Sequence, residues 1–198
     1  MPIENLTADA DVFTANVYFV PGEVPTLVDA GAMTGIEEQI TDIDSIVVTH
    51  QHGDHVQELE AVVERFSPQV FAYDDHPLRT DPIDDGDTVT IGDDEFEVVF
   101  TPGHADDHVA FLSETTIFSG DVVVYNDGAF DDGSFGRTDL AGQSRETLIE
   151  SIERLLDRLG SDVDSLYAGH GDPFHGDVRS VIERALKRAE RREPKYPE

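Results

Sequence analysis

The stretch that most constrains this chain is Ile46-Val47-Val48-Thr49 running directly into His50-Gln51-His52-Gly53-Asp54-His55. Four β-branched residues in succession favour a strand. From His55 to Phe66, the residues Val56, Leu59, Val62, Val63 and Phe66 recur at helical spacing. The histidines therefore lie on a strand-to-helix loop, where α/β sheets place their ligands. Three imidazoles and one carboxylate fall within six positions, in a chain with only 8 His among 198 residues. Side chains alternate along an extended loop, so His50 and His52 can point one way together. Gly53 lets the backbone turn, so Asp54 and His55 can face a second point nearby. One segment could thus serve two metal ions.

The chain has no Cys, which excludes a thiolate nucleophile, disulfides and thiolate-held zinc. A metal must be held by His and carboxylate. Three more such residues stand beside glycines at strand ends: His104 in Thr101-Pro102-Gly103-His104, Asp121 in Ser119-Gly120-Asp121, and His170 in Gly169-His170-Gly171. Small neighbours let several loops converge on one point. His108, four residues beyond His104, reads as a supporting residue, and His76 and His175 read as surface residues.

The remaining pattern alternates strands and helices. Val12 to Val20 and Thr26 to Asp29 read as strands joined at Pro21-Gly22, and Ile43 to Thr49 as the strand before the His loop. Further strands are expected over Val70 to Tyr73, Thr88 to Ile91, Glu95 to Thr101, Val109 to Leu112, Thr116 to Phe118, Val122 to Tyr125 and Ser165 to Ala168. Asn126 to Gly142 is a long Gly/Asp loop. Ser144 caps a helix reaching Leu159, and Asp177 caps a last helix reaching Arg191. This predicts a layered α/β fold, with residues 1–198 as a single domain.

Charge sets the partners. There are 43 Asp+Glu against 13 Lys+Arg, a formal net charge of −30. Such a surface repels nucleic-acid phosphates. At the salt of a halophile's interior the Debye length falls to about 3 Å, which screens the self-repulsion. A salt-adapted source is expected. Seven of the thirteen basic residues lie between Arg179 and Lys195, interrupted by Glu183, Glu190 and Glu193, which reads as one helix face rather than a nucleic-acid arm. The N-terminus has no signal-peptide pattern and no apolar run approaches a membrane span, so a soluble cytoplasmic protein is expected.

Taken in order from Asp29 to His170, these motifs resemble the metallo-β-lactamase superfamily. The resemblance implies a four-layer αββα sandwich with metals at one edge of its two sheets. It implies one metal on His50, His52, His104 and a bridging Asp121, and a second on Asp54, His55, His170 and the same Asp121. Asp29, in Val28-Asp29-Ala30-Gly31, would buttress the His loop. Gly136-Arg137-Thr138-Asp139-Leu140, followed by the Leu148 to Leu155 helix and Gly169-His170-Gly171, is similar to short glyoxalase II-like hydrolases. These split small-molecule thioesters. The C-terminal glutathione-binding helical domain of full-length glyoxalase II is not part of the pattern, so the thiol carrier stays open.

The ligand set suits two divalent ions, Zn first and Fe or Mn as alternatives. The implied nucleophile is a metal-bridging hydroxide, oriented by Asp54 as the catalytic residue. Arg137 reads as a partner for either a substrate carboxylate or an acidic loop neighbour. Tyr125 and Phe135 are candidate substrate-binding residues. A persulfide dioxygenase of the same superfamily, with one iron on His50, His104 and Asp121, is the alternative. A nuclease or lactonase ranks below both.

Overall fold

The computed structural model describes residues 2–192, so Glu193 and Lys195 of the basic stretch lie outside the described residues. The chain divides between Val98 and Val99 into two compact units. The first unit is built on a six-stranded sheet of β1 (Glu4–Asn5), β2 (Tyr18–Val20), β3 (Thr26–Val28), β4 (Ser45–Val47), β5 (Gln69–Ala72) and β6 (Asp81–Pro82), in that spatial order. β1 to β3 pair antiparallel, and β3 to β6 parallel. Leu27, Ile46 and Val70 from the sheet are buried with Ile36, Leu59 and Val62 in one apolar cluster.

The expected Val12 to Val20 strand survives only as β2. Its first half is a loop closed on itself. Thr7 Oγ1 donates to the Ala15 carbonyl at 3.0 Å and accepts the Val17 N–H at 3.0 Å, while Ala15 N–H reaches the Asp54 carbonyl at 3.1 Å. With its backbone groups committed there, the segment has no ladder to join, and Phe13 at its tip is 76% exposed. The helix expected from His55 to Phe66 is two pieces, α1 (Gly53–Val56) and α2 (Leu59–Phe66). Glu58 breaks it, because its N–H donates to the Gly31 carbonyl at 3.2 Å instead of along the helix.

The second sheet comprises β7 (Thr88–Ile91), β8 (Asp94–Phe100), β9 (Val109–Leu112), β10 (Thr116–Gly120), β11 (Ser165–Ala168) and β12 (Phe174–His175), ordered β12-β11-β10-β9-β8-β7. The boundary between the units falls within β8. β10 and β11 are parallel, and β7–β8, β9–β10 and β11–β12 are antiparallel. Val122 to Tyr125 is not a strand. Val122 N–H turns back to the Ser119 carbonyl and Ser119 Oγ donates to that of Val123, so the chain bends, leaving single bridges from Val124 to Ser134 and from Tyr125 to Gly171. The 126–142 segment has no helix or strand, as expected.

α3 (Arg145–Arg158) and α4 (Val178–Glu190) are capped as the sequence predicts. Ser144 accepts the Thr147 N–H, and Asp177 that of Ser180. Leu148, Ile152 and Leu155 of α3 share a buried cluster with Val181, Ile182 and Ala185 of α4 and with Val122 to Val124. Ser144→Ala should lower stability by about 1 kcal/mol, read by urea unfolding. Among the described residues no helix is long and apolar enough to cross a membrane.

Candidate metal centre

β4 ends at Val47, and the next three residues carry the chain from sheet to ligand loop. Asp29, just beyond β3, makes this turn rigid. One carboxylate oxygen accepts the Thr49 N–H at 2.8 Å, and the other accepts Thr49 Oγ1–H and His55 Nδ1–H, each at 2.8 Å. Asp29, Thr49, His50 and His55 are all buried. Because the Thr49 hydroxyl gives its proton to Asp29, it accepts from His50 Nδ1 at 3.2 Å. Both His50 and His55 are thereby fixed in the tautomer that presents the Nε2 lone pair, which is what a metal requires.

His50 Nε2 and His52 Nδ1 lie 3.0 Å apart. Two nitrogens on one tetrahedral ion, each bonded at about 2.0–2.1 Å, would stand about 3.3 Å apart. Within the first unit, then, His50 and His52 lie close enough together for both to reach one ion. Asp54 is half-buried on α1, and its carbonyl accepts from Ala15.

The second unit holds its own set of candidate ligands. His104 Nδ1–H donates to the Arg137 carbonyl at 2.8 Å, leaving Nε2 to face Asp121 Oδ2 at 3.3 Å. His170, half-buried beyond β11, brings its Nε2 to 3.6 Å from the same Asp121 oxygen. A single carboxylate thus stands between imidazoles from two separate loops. The donors are imidazole nitrogen and carboxylate oxygen throughout, a chemistry that fits Zn²⁺, Fe or Mn.

Gly120, with φ of 48°, makes the bend that aims Asp121. The Asp121 N–H donates to His108 Nε2 at 2.9 Å, so His108 carries its proton on Nδ1 and gives it to Thr101 Oγ1 at 2.8 Å. His108 is fully buried and joins the β8 end to Asp121.

Two contributors could not be read from the sequence. One is the Arg137 carbonyl, since a backbone acceptor leaves no residue signature. The other is Gly136, whose N–H donates to the Asp121 carbonyl at 2.6 Å. A Cβ at Gly136 would lie 2.5 Å from that carbonyl and 2.6 Å from His104 Nδ1. Gly136→Ala should therefore displace His104, costing about 1–3 kcal/mol and weakening metal retention, as thermal unfolding and metal analysis would show.

The expected substrate residues separate in the structure. The Arg137 guanidinium grips Asp139 with two bonds, of 2.9 and 2.8 Å, and holds that carboxyl below the usual carboxylate range. Its acidic loop neighbour is thus a partner in the structure. Phe135 is fully buried in the core with Arg145 over its ring at 4.3 Å, so it packs the loop rather than meeting a ligand. Tyr125 is half-buried and stacks on Phe174 with ring centroids 4.7 Å apart.

The 126–142 loop is tied to α4. Arg188 bonds the Gly133 carbonyl and Asp132, and lies 4.2 Å from the Phe130 ring centroid. The Arg188 hydrogen bond keeps the Asp132 carboxyl below its ordinary range. A depressed folded-state value means that the pair's stabilisation is present above the ordinary carboxylate range and is lost as pH falls below about 4. Arg188→Ala should remove this component from a pH series of urea unfolding curves.

The family model for the metallo-beta-lactamase superfamily matches residues 10–77 and 69–196. A hydroxyacylglutathione hydrolase from Aliivibrio fischeri is 35% identical over 104 residues, covering 49% of this chain and 41% of that protein. The chain thus corresponds to less than half of that relative's length. ETHE1 from Myxococcus xanthus superposes with a TM-score of 0.72 at 22% identity, covering 98% of this chain and 92% of that one. A di-iron-bound form of TTHA1623 gives a TM-score of 0.69 at 26% identity, covering 88% and 98%. Asp29, the His50 to His55 loop, His104, Asp121 and His170 all fall inside the matched residues, and the chain belongs to the metallo-beta-lactamase superfamily.

Proposed function

We propose that the chain is a dinuclear metallohydrolase that cleaves thioesters of a small thiol carrier. The observation that supports this reading is Asp121 Oδ2, which lies 3.3 Å from His104 Nε2 and 3.6 Å from His170 Nε2. The relative named hydroxyacylglutathione hydrolase supports the reaction class, and the di-iron form of TTHA1623 supports two metals. The assigned ligands are His50, His52, His104 and Asp121 for one ion, and Asp54, His55, His170 and Asp121 for the other. Zn is the first choice of metal, with Fe or Mn as alternatives, and a saline cytoplasm is the proposed setting.

When bound, the two ions supply Lewis acidity and lower the pKa of water to about 7. The chain's own residues orient that chemistry. Asp54 is assigned to hold the attacking water and its proton against the thioester carbon. Asp29 accepts from His55 Nδ1 and the Arg137 carbonyl from His104 Nδ1, so each ring is held with Nε2 turned outward. Water adds across the carbonyl–sulfur bond, giving a carboxylic acid and a free thiol, with no side-chain nucleophile consumed.

A panel of thioesters assayed for thiol release in high salt tests this. Turnover should disappear on chelation and return when Zn, Fe or Mn is restored. Fully metallated protein that hydrolyses no thioester would sink the proposal. The persulfide dioxygenase reading is kept in view by the likeness to ETHE1 and by Gly136 to Leu140, and it requires one iron on His50, His104 and Asp121.

A further inference from the structure

Glu58 has no part in the ligand pattern, yet its carboxylate accepts four hydrogen bonds. Three residues beyond His55, it accepts the backbone N–H groups of Thr34, Gly35 and Ile36, the last two at 3.0 Å, and Thr34 Oγ1 at 3.3 Å. Successive N–H groups converge in this way because Met33 and Gly35 are left-handed, with φ of 54° and 63°. Alternating backbone hand makes a concavity suited to an anion, and here the chain supplies the anion itself.

The segment so gripped is strained, and the residues just before it are hydrogen-bonded to the ligand loop. Asp29 and Gly31 are also left-handed, with φ of 61° and 67°. Non-glycine residues such as Asp29 and Met33 hold that conformation at a cost of about 1–3 kcal/mol each, and only where their surroundings enforce it. The Ala30 and Gly31 N–H groups donate to the His55 carbonyl at 2.7 and 3.0 Å, while Gly31 accepts from Glu58 N–H at 3.2 Å. Asp29 holds the His55 ring. The His55 backbone and side chain are thus both held by residues 29–31, and Glu58 closes the clasp by binding residues 34–36.

We propose that Glu58 is a positioning residue: its carboxylate locks residues 29–36 in their strained form, so that Asp29 keeps His55 Nε2 turned toward a metal. This rests on the proposed function only in treating His55 as a ligand. Glu58→Ala and Glu58→Gln are to be compared with the parent in Co²⁺ titrations followed by d–d absorption. The parent should take two ions. In Glu58→Ala one site should weaken by about 10–100-fold, as loss of a supporting partner typically does, while the other stays within about 3-fold. Glu58→Gln, which keeps one acceptor oxygen, should fall between them.

A second readout needs no metal. Protection of the His55 Nδ1–H against solvent exchange, followed by imidazole NMR, should drop at least ~10-fold in Glu58→Ala and be partly kept in Glu58→Gln, as breaking a support of this kind predicts. Two full-affinity sites in Glu58→Ala, or equal weakening of both in step with lost stability, would overturn the proposal. If the parent takes only one ion, the two-metal reading fails, and the NMR signal alone then decides the role of Glu58.

Discussion

Replacing Asp121 by Asn is expected to cut thioester kcat/KM by about 1000-fold or more. Asp121 Oδ2 faces both His104 and His170, so one substitution takes charge and a lone-pair donor from both assigned sites. Metal-derived stabilisation of developing charge amounts to several kcal/mol, and about 4 kcal/mol corresponds to three decades in rate. Asn preserves the shape, and its amide oxygen is neutral. The backbone N–H bond to His108 should survive, so the fold should be kept while metal content falls below that of the parent. Circular dichroism alongside metal analysis and steady-state kinetics separates these effects. Wild-type metal content in active Asp121→Asn would remove Asp121 from the bridge.

Asp29→Ala should be the most damaging change to stability among the supporting residues. It strands the Thr49 N–H and hydroxyl and the His55 Nδ1–H, on residues that are 1% and 0% exposed. Each buried group left without a partner costs about 1–3 kcal/mol, so the three together cost about 3–9 kcal/mol. For a chain of this size that is a fall in Tm of about 10 °C or more. Alanine is also a poorer resident than aspartate at φ of 61°. Asp29→Asn fits the left-handed position and can still accept the Thr49 N–H, so it should lose less stability. It cannot satisfy the Thr49 hydroxyl and His55 together as the carboxylate does, so metal affinity should fall even where the fold holds. Differential scanning calorimetry and metal titration on the two variants test the distinction.

The parts legible in the sequence were those with local signatures. Ser144 and Asp177 announced their helices because a cap is written in adjacent residues. β7, β9 and β11 ran as their β-branched and aromatic content suggested. Asp29, His50, His52, His104, Asp121 and His170 could be singled out because residue type and glycine spacing mark them one loop at a time.

What escaped was decided by partners distant in sequence. Val12 to Asn16 has strand-like composition, but its hydrogen bonds go to Thr7 and Asp54. Val56 to Phe66 is helical in period, yet Glu58 turns away to residues 31–36. Val122 to Tyr125 looks like a strand because it is fully apolar, whereas its burial comes from packing with α3 and α4. Phe135 has the composition of a pocket residue and the position of a core one. β1, β6 and β12 are two residues each, too short to carry a period.

The most direct test is a metal count on the purified chain, made on the same sample as assays for thiol release from thioesters and for oxygen uptake with a persulfide. Two ions per chain and thiol release without oxygen uptake are the predicted result. One iron per chain with persulfide-dependent oxygen consumption, and no thioester cleavage, would contradict it.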